Sequence, residues 1–102
     1  MLFPNTVEPE NCTDMIDVRR EIDSIDEAII AALGKRFEYV KSAAKFKTSA
    51  TSVRAPQRFE AMLAQRRQWA EAQDLNPDVI EKMYRDLVGY FIEEEMSKWR
   101  KD

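Results

Sequence analysis

Histidine is absent from this chain. Its absence removes the commonest general base, the base of a nucleophilic triad and imidazole metal ligands at once. A single cysteine, Cys12, excludes an internal disulfide and any cysteine-cluster zinc site. Glycine occurs twice and proline four times in 102 residues, too few turn formers for a many-stranded sandwich or barrel. Long helices are the alternative. A basic excess is also missing, because 19 acidic residues face 16 basic ones, so nothing holds a nucleic-acid backbone. No apolar run approaches about 18 residues, and the first ten positions have neither the basic start nor the apolar stretch of a secretory leader. A cytoplasmic location is the expectation. What is present, 44% hydrophobic and 34% charged residues, describes a soluble globular chain, and the length suits a single domain over 1–102.

Between Pro9 and Pro56 there is no proline and only one glycine, Gly34, so nothing over 14–47 obliges a helix to stop. Thr13 or Asp14 serves as its N-cap, with Asp14 and Asp17 well placed in the first turn. Met15, Val18, Ile22, Ile25, Ile29 and Ala32 alternate by three and four, which fits a helix and no strand. Thr48 to Val53 reads as a loop, and Pro56 biases Ala55 away from helix. Pro56 then opens a second helix whose apolar face is Phe59, Met62, Leu63, Trp69 and Ala70, ending near Gln73. Asn76-Pro77-Asp78 starts a third, capped by Asn76 and lined by Ile80, Met83, Leu87, Phe91 and Trp99 as far as Arg100.

The first helix is too long for a monomer of this size. Thirty-four residues span about 51 Å, whereas a compact chain of this length has a diameter of about 33 Å. An exposed apolar stripe of that length is an association site, and a homodimer sharing its first helices covers it.

Continuing the heptad beyond Ala32 places Arg36 on the seam, ahead of Tyr39, Ala43 and Phe46. A guanidinium there is costly unless it meets an anion. Lys47 lies eleven residues further on, about 20° from full register and about 16.5 Å away, so both arms converge on one small anionic ligand. Arg19, seventeen residues before Arg36, is about 25 Å distant and about 100° off that face. An antiparallel second copy crossing between Ile30 and Ala31 brings its own Arg19 opposite about residue 42. Two equivalent sites result, each with two cations from one chain and one from the other.

The third helix carries a second anomaly, Glu95, four residues from both Phe91 and Trp99 on the apolar stripe. Burial favours the neutral, hydrogen-donating form of such a carboxyl. Arg58, at the start of the second helix, points either to the ligand or to water. Each of these residues also has a plainer reading. Arg36 suits an interface salt bridge, Arg19 and Lys47 suit solvent, and Glu95 becomes a solvated charge if its helix turns by one position. Trp69, Trp99, Phe91 and Met62 are core residues first, with Met62 and Ile92 as possible pocket walls. Cys12 has nothing nearby to activate a thiolate, and Gly34 allows close helix contact. A non-catalytic helical dimerisation module is the remoter alternative.

Arg19, Arg36 and Lys47 at their spacing on a long first helix resemble the all-helical chorismate mutase family. Cys12-Thr13, Asp17-Val18-Arg19, Ile22 to Asp26, Ala32 to Arg36 and Tyr39-Val40-Lys41 more closely resemble its isochorismate-pyruvate lyase branch. Phe46-Lys47, Ala61 to Leu63, Trp69 to Glu71 and Trp99 continue the likeness, which runs from about Glu10 to Arg100. It implies an all-α, intertwined homodimer of three-helix chains that binds chorismate-like dicarboxylates with no cofactor and no metal. By the same resemblance Arg19 of a second copy and Arg36 hold the two carboxylates. Lys47 reaches a carboxylate and the enolpyruvyl ether oxygen, and Arg58 matches a second-helix arginine of the family. Val40, Met62 and Ile92 become the apolar walls, and the loop before Pro56 a lid.

Two features depart from the family pattern. Mutases carry acidic residues near the start of the second helix, where this chain has Ala55 and Phe59, as the lyases have apolar ones. Glu95 stands where bacterial members have glutamine; some fungal mutases have glutamate there, which must be protonated to donate. Chorismate mutase as the main role, serving aromatic amino acids, is therefore the alternative to salicylate formation for siderophores. Both reactions are pericyclic and need neither base nor nucleophile. They need the reactive conformer held and positive charge beside the breaking ether bond.

Overall fold

The computed structural model describes residues 3–46, 49 and 55–101, with side chains as far as Ser97. Among the described residues there is no strand. Three α-helices follow one another: α1 over Met15–Ala43, α2 over Pro56–Ala72 and α3 over Pro77–Lys101. A 3-10 turn at Pro9–Asn11 precedes α1, and a second at Ala44–Phe46 continues it. The all-α class and the very long first helix are as the sequence predicts, and Gly34 does not interrupt it.

Local chemistry fixes the ends. Asp14 Oδ1 accepts the Asp17 backbone N–H at 2.9 Å, while Asp17 Oδ2 accepts from the Thr13 backbone N–H at 3.1 Å and its hydroxyl at 3.0 Å. This reciprocal pair satisfies N–H groups that the first turn would otherwise leave open. At the far end α1 tightens to 3-10 geometry after Ala43, a common way for the last turn to use its spare carbonyls. The α-helix proper therefore stops four residues short of the expected end at Lys47, which lies outside the described residues together with most of the loop.

Ala55 adopts left-handed geometry with φ 39°, so Pro56 displaces it from the right-handed helical region in a different direction from the extended one. After α2, the Leu75 N–H bonds the Ala70 carbonyl at 2.9 Å and the Asp74 N–H bonds that of Glu71 at 3.1 Å. With Asp74 at φ 58°, this is a Schellman closure built on aspartate instead of glycine. Asn76 Oδ1 then accepts the backbone N–H of Asp78 at 2.8 Å and of Val79 at 3.4 Å, capping α3 as the Asn-Pro pair predicts.

The chain divides into two compact units, Met1–Tyr39 and Val40–Asp102. In the second, α2 packs on α3, and the buried apolar residues Met62, Leu63, Ala70, Phe91 and Met96 belong to this hairpin. Outside it, Glu60, Arg85, Glu81, Arg67 and Asp78 form a continuous ladder of ion pairs from α2 to α3. Trp69 departs from the expected core. It is 53% exposed, because the Arg66 guanidinium, one turn earlier, stacks on its ring at 4.5 Å and lies 5.6 Å from the ring of Tyr84.

In the first unit, residues 3–12 fold back onto the N-terminal half of α1. The anchor is Glu21, only 8% exposed and the sole buried residue of α1. Its carboxylate accepts the Thr6 backbone N–H at 2.7 Å and the Thr6 hydroxyl at 3.0 Å. The remaining seam of α1 is open: Met15, Ile22, Ile29 and Tyr39 are all at least half exposed.

Candidate active site

Helical geometry distributes the candidate residues. Arg36 and Val40 stand one turn apart on the same face of α1, both half-buried, and Arg36 occupies the seam position an aliphatic residue would take. Arg19 is exposed on the N-terminal half of the helix, too far along and too far round to meet Arg36 in one chain. Lys47 falls outside the described residues. Arg58 is exposed in the first turn of α2, Met62 is buried one turn later, and Ile92 is half-buried on α3.

Glu95 lies 8% exposed between Phe91 and Met96, which are both buried. The alternative of a solvated third member of the run Glu93 to Glu95 is thereby set aside. Phe91, Glu95 and Met96 recur at helical spacing, so α3 turns this carboxyl inward with its apolar neighbours.

Arg19 and Arg20 are adjacent but not equivalent. Arg20 Nη2 bonds Asp17 Oδ1 at 3.0 Å, and Arg20 Nε lies 3.5 Å from Glu21 Oε1. These hydrogen bonds hold its pKa above the ordinary arginine range, the bond to Asp17 contributing most. Arg19 makes no ion pair among the described residues. The two line an open depression of about 460 Å³ with Ile16, Asp23, Ser24 and Glu27.

Two carboxylates escape sequence reasoning in detail. The Thr13 backbone N–H holds Asp17 below the usual carboxylate range, and the Thr6 backbone N–H does the same for Glu21. The favourable first-turn place of Asp17 was legible in the sequence, but its bonds back to Thr13 were not. Nothing local marks the burial of Glu21, whose hydrogen-bond donor Thr6 lies fifteen residues earlier. Burial pushes the Cys12 thiol up, and Asp17 and Glu21 add to the effect, so it is not an activated nucleophile. Among the described residues no cluster of three metal-ligating side chains exists, and no helix is long and apolar enough to cross a membrane.

A three-helix chain with a very long first helix and a buried carboxyl on its third matches a known class. The chain belongs to the type II chorismate mutase family, whose profile matches residues 18–96. Within it, the chain is 41% identical over 92 residues to an isochorismate pyruvate lyase of Pseudomonas aeruginosa, covering 90% of this chain and 91% of that protein. It is 37% identical over 76 residues to a T-protein of Enterobacter agglomerans and 40% over 73 residues to one of Haemophilus influenzae. Those matches take in 74% and 71% of this chain but only 20% and 19% of the T-proteins.

Proposed function

We propose that this chain is an isochorismate-pyruvate lyase that also rearranges chorismate to prephenate, working as a homodimer with two shared sites. The observation that carries the reading is identity to the Pseudomonas lyase across nine-tenths of both chains. The exposed seam of α1 and the separation of Arg19 from Arg36 support the second copy. Arg36 and Lys47 of one copy, with Arg19 of the other, hold the two substrate carboxylates. Lys47 and the Glu95 carboxyl face the ether oxygen, where negative charge gathers as its bond breaks. Arg58 adds positive charge at the rim, and Val40, Met62 and Ile92 wall the ring. In the lyase reaction a ring hydrogen passes to the enolpyruvyl methylene carbon as the ether bond opens, so pyruvate leaves and the ring becomes salicylate. Every electron moves within the substrate, and no cofactor or metal enters. Salicylate supply for siderophore synthesis in the cytoplasm is the physiological role we infer.

Chorismate mutase as the main activity is favoured by one observation, the family profile spanning most of the chain. Parallel assays separate the two: salicylate fluorescence from isochorismate and loss of chorismate absorbance. Failure of both from mildly acid to mildly alkaline pH refutes the enzyme reading. Arg36→Ala and Arg19→Ala should each lower turnover about a hundredfold or more while helical content is kept. Mixing and exchanging the two inactive variants should restore about a quarter of wild-type activity. Half of the dimers are then mixed, and each has one intact site of two. No recovery on mixing refutes the shared site.

A further inference from the structure

The folded-back segment leaves a cleft of about 200 Å³ against α1, whose lining includes Val7, Pro9, Cys12, Glu21, Ile22 and Ile25. Its size suits one aromatic ring, since an apolar cavity of about 150 Å³ accepts benzene. Tyr39, 72% exposed on the same helix, is an aromatic ring with no place of its own. We infer that this cleft is the socket for Tyr39 of a second copy, in an antiparallel pairing of α1 helices; the inference rests on the dimer proposed above.

Charge favours the antiparallel arrangement. Residues 14–30 hold six acidic and two basic residues, net −4, and residues 31–47 hold five basic and one acidic, net +4. An antiparallel pair lays each half on its opposite, whereas a parallel pair sets like on like. Crossing between Ile30 and Ala31 brings residue 39 of one copy opposite Ile22, in the middle of the cleft. The azimuth agrees as well. Tyr39 is eighteen residues after Glu21, five whole turns at about 100° per residue, so both lie on one meridian. A two-fold axis brings matching meridians together on the same side, and Tyr39 of the second copy meets the side where Glu21 holds the folded-back segment. The symmetry fills two sockets per pair.

Sedimentation of the full chain and oxidative cross-linking test this. The wild type should sediment as a dimer, Tyr39→Ala should raise its dissociation constant about tenfold or more, and Tyr39→Phe should leave it nearly unchanged. Tyr39→Cys should give a covalent dimer through Cys12 on mild oxidation, and the same substitution with Cys12→Ser should not. The two introduced thiols cannot join each other, being about 25 Å apart along the pair. A dimer indifferent to Tyr39→Ala and without a Cys12-dependent cross-link overturns the socket while leaving the dimer intact. A chain that stays monomeric overturns both.

Discussion

Leu63 is 1% exposed, among the described residues the largest side chain with essentially no contact with solvent, and it sits where α2 meets α3. Leu63→Ala removes the equivalent of about three methylene groups at about 0.8 kcal/mol each, or roughly 2.4 kcal/mol of transfer free energy. Helices pinned by a capped, tightly closed turn relax little, so a cavity contribution adds to this, for a total of about 3 kcal/mol. Trp69→Ala is the control. The indole is much larger, yet half of it faces water, and its main partner is a stacked guanidinium. Its loss should cost about 1 kcal/mol. Urea unfolding at fixed protein concentration measures both, provided the slope stays constant between variants. A Leu63→Ala loss under about 1 kcal/mol, or a Trp69→Ala loss exceeding it, would refute the assignment of the hairpin interior.

Asn76→Ala leaves two α3 backbone N–H groups without their side-chain acceptor and should cost about 1 kcal/mol in the same titration, with Asn76→Asp nearly neutral. Glu21, held below the usual carboxylate range by the Thr6 N–H, binds protons less readily folded than unfolded. The stability it confers is therefore full above the ordinary carboxylate range and is lost as pH falls through the lowered value. Hydrogen exchange at the Thr6 and Val7 amides should accelerate there beyond the intrinsic pH trend, and Glu21→Gln should abolish the dependence. If Glu95 donates to the ether oxygen, Glu95→Gln, which keeps a hydrogen-bond donor at that place, should retain turnover, while Glu95→Ala should lower it about a hundredfold. A Glu95→Ala rate equal to that of the wild type would refute that role.

The features legible in the sequence are those whose cause is local. The length of α1 follows from an uninterrupted alternation, the start of α3 from Asn76-Pro77, and the inward position of Glu95 from its spacing to Phe91. Trp69 obeyed the same spacing and still came out to solvent, because a neighbour on its own helix offered a guanidinium to stack on. Periodicity ranks positions by angle and is silent about such competition. Glu21 was unreadable for another reason. A carboxylate on a helix rich in acids has no mark of burial until a distant backbone N–H reaches it, and the Thr6 contact is a product of chain reversal. Arg19 was singled out by spacing to Arg36, but its distinction from Arg20 needed the positions of Asp17 and Glu21 in space.

The charge gradient along α1 has a kinetic consequence. Acids in the first turn and lysines in the last oppose the helix dipole at both ends, so α1 gains stability from its own chain with its seam still uncovered. In the dimer proposed above, a second copy would then meet an ordered surface instead of a coil, and encounter would not have to supply the ordering entropy of the backbone. Association on the proposed terms would be a docking of formed rods, steered by opposite ends at a distance. Its rate should fall with added salt, whereas its dissociation should follow the fit of the apolar seam.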